Sequence, residues 1–438
     1  MAQRHKMIAG MALAALALSA CGLGEAPEGE SEEPQTEELD LGEVEGEITF
    51  QTMQLSPTFD DFINGLIDEF EEEHPEVSVE WVDIPTEGTA QKIAADASSG
   101  NLADVLDLDV ATLAPIARGG RVLDMAQVSP ESEPDFVDSA WESFAFEGIE
   151  TSALPWYLNT PVLIMNTEIL QEAGLSEDEN PDTWSELFEL SSRIASDTDA
   201  AGFQPTVRAL RNMMISAGVP MVNEDATEAV VNTPEALEIV ESLAELYENG
   251  GIPKDSMTAQ PRSEIESFQD AEVAFFETGP SRIAIIEENA PEVFDALAVA
   301  EPLESTGRGA WVVAHGLAVS DDSEHKAAAL EFARFVTSAD QQLALAKEST
   351  VFPSNNEALE DPFFTDSDGS AEDEGRSIAA ENLASGQTAP AANTAIDTEF
   401  EEELWSEVQL AIMGDEDPSD ALERAEQTLT ELLEQRNS

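Results

Sequence analysis

Residues 153–187 read ALPWYLNTPVLIMNTEILQEAGLSEDENPDTWSEL, and the order of signals in this stretch decides the fold. Pro161 opens the apolar run Val162-Leu163-Ile164-Met165, too short for a helix and rich enough in branched residues for a buried strand. Asn166 and Thr167 then supply a helix cap, and Gly174 ends the helix that follows. Asn180-Pro181-Asp182-Thr183-Trp184 is a turn that opens another helix, with Asp182 as its expected cap, Thr183 at its first position and Trp184 folded back as an anchor.

Working toward the N-terminus, Asp104-Val105-Leu106-Asp107-Leu108-Asp109 reads as a buried strand, preceded by a helix over about 87–98. Val77, Val79 and Trp81 alternate as an earlier strand, and Ile48-Thr49-Phe50 starts the fold. Between them Ser56 caps, and Pro57 opens, a helix whose apolar face is Phe59, Phe62, Ile63, Leu66, Ile67 and Phe70. This β-α-β-α-β order implies parallel strands with right-handed crossovers. Ligands in such sheets bind beyond the carboxyl ends of the strands, a rule that selects Gln54, Glu87 and Asp109. A carboxylate accepts hydrogen bonds from two hydroxyls at once, which suits Glu87 and Asp109 to a polyhydroxylated solute; each could equally be a solvated loop acid.

The motifs resemble one family. The branched strand ending in Asn166, Ala173-Gly174-Leu175 and Pro-x-Thr-Trp-x-Glu-Leu over 181–187 are similar to the extracellular solute-binding proteins of the carbohydrate-binding group of ABC importers, the maltose-binding-protein-like lipoproteins. So are Ser99-Gly100-x-x-x-Asp104-Val105 and the run from Phe268 to Gly279-Pro280, which departs from the family at Ala271, where glycine is usual, and at Ser281, where an aromatic often stacks on sugar. The resemblance spans 48–356 and returns weakly at the C-terminus. It implies an α/β, two-lobed periplasmic-binding-protein-like fold with crossing hinge segments: 48–156 with 310–360 as one lobe, 157–309 with 361–438 as the other. Its implied partners are a small solute, a saccharide in first place, and the subunits of an ABC permease, with the protein a monomer.

Length and charge fit this organisation. A chain of 438 residues with 42% apolar content suits two cores rather than one. Against 18 Lys and Arg stand 93 Asp and Glu, a formal net charge of −75, which excludes nucleic acid as a partner because phosphate binding needs a basic surface. Acids spread over nearly every helix face repel one another in dilute salt and are screened where the Debye length falls to about 3 Å, the pattern of a surface adapted to a salty exterior. A surface for capturing cationic ligands is the other reading.

The N-terminus reads as a lipoprotein signal over 1–20: Arg4, His5 and Lys6, an apolar run over 7–17, then Leu18-Ser19-Ala20-Cys21, with Cys21 as the lipidated residue that anchors the protein to the cell membrane. Residues 21–47, acidic and without a Lys or Arg, are expected to be a disordered tether.

Aromatic faces pack against the C–H patches of sugar rings, which makes Trp156 and Tyr157 candidate handles. Two neighbours in a strand cannot both face one core, so at least one is expected in the cleft. Trp311 is a third handle or a core residue, and Phe352 joins the set from the apolar-Pro turn 351–354. Gly279 and Pro280 would let backbone N–H groups approach a ligand, with Ser281 beside them. Arg282 could meet a ligand carboxylate or phosphate, or pair with one of the many acids. A phosphorylated polyol or other polar solute is the alternative ligand class.

Asp107 and Asp109 share a strand face, but one such pair in so acidic a chain is poor grounds for a glycoside hydrolase. No hydrolase, zincin or phosphate-loop motif occurs, and the four histidines make no ligand cluster, so neither an enzyme, a cofactor nor a metal ion is expected. Helices are expected near 184–196, 208–217, 234–249, 324–337, 339–347 and 400–435, with Trp405 anchoring the last; the acidic segment 366–374 reads as a surface loop.

Overall fold

The computed structural model describes residues 41–85, 88–146, 148–176, 179–223, 227–258, 262–303, 311–366, 368–384, 389–390 and 398–436. Its strands are β1 (Gly46–Met53), β2 (Val77–Ile84), β3 (Val105–Asp109), β4 (Leu154–Asn159), β5 (Val162–Asn166), β6 (Met221–Val222), β7 (Ala229–Val230), β8 (Phe275–Thr278), β9 (Leu297–Ala300), β10 (Trp311–Val319), β11 (Phe352–Pro353) and β12 (Ala389–Pro390). A seven-stranded sheet follows the path β11-β4-β10-β3-β1-β2, with β12 added onto β10. A second sheet runs β8-β5-β9, and β6 pairs with β7.

β1 lies parallel to both β2 and β3, as the β-α-β-α-β reading requires. The first crossover helix, Asp60–Glu73, buries Ile63, Leu66, Ile67 and Phe70. It starts later than expected: Ser56 and Pro57, joined by a cis peptide, lie in a turn ahead of it. The cause is Asp83, whose carboxylate accepts the N–H groups of Leu55 and Ser56 at 3.0 and 3.2 Å and holds them out of the helix.

Around the quoted stretch the local chemistry is mostly as read. Asn166 accepts the N–H groups of Glu168 and Ile169, capping Thr167–Glu172, and Gly174 takes the left-handed φ of +68° that ends this segment. The cap of Trp184–Asp197 is Thr183 rather than Asp182. Its hydroxyl accepts the Glu186 N–H at 3.3 Å while the Glu186 carboxylate reaches back to the Asp182 N–H at 2.9 Å, a reciprocal arrangement that the hydroxyl one residue later serves. The acidic segment 366–374 is also more ordered than a loop: it feeds the helix Ala371–Ala384, with Ser370 accepting the Asp373 N–H at 3.3 Å and three acids in the first turn facing the positive helix end.

Strand directions define where the two sheets meet. β10 runs antiparallel to β3 and to β4, so the C-terminal ends of β1, β2, β3 and β4 share one edge with the start of β10. From that edge Thr160 and Pro161 carry the chain to β5. β8 and β9 are antiparallel to β5 and therefore end where β5 begins, at Thr278 and Ala300. These are the crossing edges of the two sheets.

Three cores hold the layers. One face of the large sheet packs Phe50, Trp156 and Leu317 against Phe70 and Phe332. Its other face shares a core with the small sheet, in which Leu106, Leu108 and Leu158 join Val162, Ile164, Ile283 and Ile286. The remaining face of the small sheet, Leu163 and Met165, is covered by helices that include Pro234–Asn249 and the C-terminal pair Thr398–Ile412 and Pro418–Arg436, with Trp405 packed against them as expected. Each fully buried Phe or Leu contributes about 1.5–3 kcal/mol relative to exposure.

Candidate functional site

The register of three strands assembles the site. On β10, His315 lies opposite Asp109 and Leu317 opposite Asp107, while on the other side His315 lies opposite Tyr157. Side chains two apart share a face, so Asp107, Asp109, His315 and Tyr157 converge at the crossing edge of the large sheet. The Tyr157 and His315 rings stack with centroids 4.6 Å apart and planes 15° apart. His315 Nδ1 is 2.8 Å from the Tyr157 hydroxyl and 3.1 Å from Asp107 Oδ1. Asp107 is fully buried, and its Oδ2 has no hydrogen-bond partner among the described residues.

The electrostatics follow from this geometry. Burial raises the pKa of Asp107, an effect that His315 only partly offsets. Burial opposes protonation of His315, yet the Asp107 carboxylate, with Asp109 behind it, outweighs burial and raises the imidazole above its ordinary value. The Tyr157 phenol is pushed well above its usual range by burial and then by the two acids, so it stays protonated. Tyr157 and Asp107 both face Nδ1: an imidazolium donates from it to Asp107, whereas a neutral ring protonated on Nε2 accepts the tyrosine proton there.

Trp156 departs from expectation. The register shifts between His315 and Gly316, so that His315 faces Tyr157 but Gly316 faces Pro155, and Trp156 is the extra residue of a β-bulge. The bulge sets two neighbouring aromatics on one core, 5.2 Å apart. Trp156 is fully buried, edge-on to Phe50 at 6.0 Å, and is a core residue; Tyr157, half-buried, is the member of the pair available to a ligand. Gly316 makes this possible, since a Cβ there would lie 2.6 Å from Phe144 Cζ and 2.9 Å from Ala153 Cβ.

Other acids at this edge have internal duties. Asp109 caps Val110–Arg118, accepting the N–H and hydroxyl of Thr112 at 2.9 Å each. Asp83 accepts from the Thr52 hydroxyl at 2.7 Å, and Thr52 in turn accepts from Trp81 Nε1 at 2.8 Å. Gln54 is exposed at the end of β1 with a φ of +54°, unusual for a residue with a side chain, its N–H donating to Ile84 O at 2.9 Å. Glu87, the side chain of Trp311 and Cys21 lie outside the described residues.

The turn after β8 differs from its reading. The N–H groups of Arg282 and Ile283 donate to Gly279 O and Pro280 O at 3.0 Å, so the turn closes on itself and does not offer these donors to a ligand. Gly279 has no positive φ, and an added Cβ would meet only Ser281 Oγ, at 3.8 Å. Phe352 is buried against Phe364 and serves the core, for its place on β11 turns it to the same face as Leu158. Pro280, Ser281 and Phe352 nevertheless border one cavity of about 120 Å³ with Phe363 and Arg376, the guanidinium lying 4.3 Å over the Phe363 ring. Arg282 is exposed and makes no ion pair among the described residues.

Sequence reasoning missed His315. The available signal was a polar residue inside the apolar strand Val313-Ala314-His315-Gly316-Leu317, next to a glycine. Asp107 was seen only as a weak hydrolase candidate, and its role emerges from the partner on β10. Among the described residues no group of three His, Cys, Asp or Glu could hold a metal ion.

Comparison with known proteins gives a consistent result. Residues 56–343 match the family model described as bacterial extracellular solute-binding protein. The diacetylchitobiose binding protein DasA of Streptomyces coelicolor is 25% identical over 370 residues, covering 80% of this chain and 81% of that protein. Among solved structures, a periplasmic-binding protein from Synechococcus sp. MITs9220 superposes with a TM-score of 0.77 at 26% identity, covering 89% of this chain and 99% of the other. The sugar-binding protein MalE of Xanthomonas citri superposes with a TM-score of 0.74 at 18% identity, over 90% and 98% of the two chains, and shares the mixed α/β fold.

Proposed function

This chain belongs to the bacterial extracellular solute-binding protein family, and from that membership we propose that it captures a sugar or oligosaccharide at the crossing edges and delivers it to the permease of an ABC importer. It is a binding protein and not an enzyme. The observation that carries the saccharide reading is the half-buried Tyr157, stacked on His315 above buried Asp107 at the crossing edge: an aromatic ring and a phenol beside acidic acceptors. The diacetylchitobiose named for DasA and the sugar named for MalE support the same class. In the fuller form of this reading, Cys21 is the lipid anchor, the acidic segment from 21 the tether, shorter than the expected 21–47 because Gly46 and Glu47 already pair within β1, 48–156 with 310–360 one lobe and 157–309 with 361–438 the other. The lobes close around the solute, and the net charge of −75 is an adaptation to salt.

Titration calorimetry over saccharides, polyols and phosphate esters tests it. Stacking contributes about 0.5–1.5 kcal/mol beyond buried area, so Tyr157→Ala, checked for folding by circular dichroism because the ring also packs on Trp156 and His315, weakens a bound saccharide by about tenfold or more, and Tyr157→Phe, which keeps the ring, weakens it less. A panel in which polyol phosphates bind and no saccharide does would favour the polar-solute alternative. Two further checks concern the outer features. Cys21→Ser should release the protein from the membrane fraction with affinity unchanged, and molar salt should raise the melting temperature; a temperature that is flat or falls with salt speaks against adaptation.

A further inference from the structure

The β-bulge at Trp156 is held by two side chains remote in sequence. Gln342, on the helix Ala339–Glu348, and Ser354, just after β11, are fully buried, and the polar atoms of both side chains are engaged. Gln342 Oε1 accepts the N–H groups of Ser354 and Asn355 at 2.6 and 3.1 Å. Its Nε2 lies 2.9 Å from Thr337 O, 3.0 Å from Ser354 Oγ and 3.2 Å from Pro155 O. The Ser354 hydroxyl donates to Pro155 O at 2.7 Å and has Trp156 O at 3.3 Å. Backbone donors meet the amide oxygen and backbone carbonyls meet the amide nitrogen, so only one orientation of the Gln342 amide satisfies them all.

The two carbonyls held in this way belong to the residues where the ladder is broken. β10 pairs with Tyr157 on one side of the register shift and with Pro155 on the other, which leaves Trp156 as the extra residue. Were Tyr157 the extra residue instead, Trp156 would lie opposite His315, and a slip of one residue turns a side chain to the other face of the sheet. β11 does little by itself to decide between these registers. It contributes only Phe352 and Pro353, and Pro353, the partner of Tyr157, has no N–H to donate. The next N–H, that of Ser354, is turned to Gln342. The donors that a longer edge strand would have supplied to the bulge come from Ser354 Oγ and Gln342 Nε2.

We propose that Gln342 and Ser354 are positioning residues for the ligand: by holding the carbonyls of Pro155 and Trp156 they pin the bulge at Trp156, and so keep the Tyr157 ring stacked on His315 at the crossing edge. Both are too buried to touch a solute and act through Tyr157. A fully satisfied buried network rigidifies what it holds. This rests on the saccharide reading above and adds to it the support that fixes the aromatic ring.

The test uses two variants of the full chain. Ser354→Ala removes one donor and leaves Gln342 on Pro155 O; Gln342→Glu keeps the shape but replaces a nitrogen with two N–H groups by an oxygen with at most one. Circular dichroism checks folding, and either variant alone carries the test; failure of both to fold makes the network purely structural and overturns the proposal. In the ligand-free protein, the imidazole C–H resonance of His315, identified by its loss in His315→Gln, reports the Tyr157 ring stacked on it, with His74 and His325 as controls. Calorimetry with diacetylchitobiose and maltose then measures affinity for each variant, alone and combined with Tyr157→Ala.

The His315 resonance should shift while the controls stay, and any disaccharide that the wild-type protein binds should bind about fivefold more weakly, with no further loss when Tyr157 is already alanine. Where Tyr157→Ala abolishes measurable binding, the resonance and the single-variant affinity decide. An unmoved His315 resonance, an unchanged affinity, or an equal loss with and without the Tyr157 ring overturns the positioning role and leaves the saccharide reading standing. If neither disaccharide binds the wild-type protein while the His315 resonance moves, the network does position Tyr157 and the result counts against the saccharide reading.

Discussion

At the crossing edge of the seven-stranded sheet the charged groups are held by the protein itself, whereas beside the three-stranded sheet Arg208 and Arg282 make no ion pair among the described residues. Asp83 closes a turn, Asp109 caps a helix and Asp107 holds His315, which stacks on Tyr157. Arg208 and Arg282 end in solvent. The contrast teaches a division of labour. One edge is preorganised, its rotamers fixed before any ligand arrives, while the other keeps conformational freedom that a ligand must quench.

This contrast can be broken most easily from beneath the rigid edge. Trp156→Ala empties a fully buried site and should cost about 3–5 kcal/mol in urea unfolding; a loss below about 1 kcal/mol would mean that the bulge does not seat this ring in the core. Next in size, Asp83→Ala strips the acceptor from Leu55, Ser56 and Thr52 and should cost about 1–3 kcal/mol, with amide exchange accelerating at 55 and 56 first.

The titrating pair gives a smaller effect with a defined sign. The folded pKa of His315 is raised above 6.5, so its contribution is fully present below that value and is lost as pH rises through the folded one; Asp107, also raised, acts in the same sense from 3.8 upward. Wild-type protein should therefore lose more stability than the Asp107→Asn, His315→Gln double variant as pH rises above about 6.5. Parallel pH curves for the two proteins would contradict the assignment. Smallest of all, Arg282→Gln should alter stability by less than about 0.5 kcal/mol, since the side chain is exposed and unpaired; a larger loss would make it structural and erase the contrast.

Much of the fold was legible because its signals are local. Apolar alternation marked the parallel strands, and Asn166 and Gly174 announced their helix ends by chemistry that needs no distant partner. The caps that were misread by one or a few residues, Asp182 and Ser56, were each decided by a competing acceptor: Thr183 in the first case and Asp83, from another strand, in the second. The site was less legible, for a physical reason. A bulge depends on the register between two strands, so nothing in Pro155-Trp156-Tyr157 alone says that both rings turn to one core. His315 acquires its meaning from Asp107 and Tyr157, 208 and 158 residues away. Arg282 was open to a ligand anion or to an acid of the chain, and that it makes no ion pair among the described residues is a fact of three dimensions.

β10 has a consequence in time as well as in space. It is wedged between β3 and β4, and among the described residues β4 has no neighbour in the large sheet except β10 and β11, both of which come later in the chain. Until those strands have been synthesised, Leu154–Asn159 has no one to pair with, and the face that will carry Tyr157 cannot form. Such distant pairing is slow because loop closure must precede the contacts that reward it. Leu154–Asn159 therefore stays without its sheet partners until residues 311–319 and 352–353 have been made, and the middle of the chain is the last part of the large sheet to close.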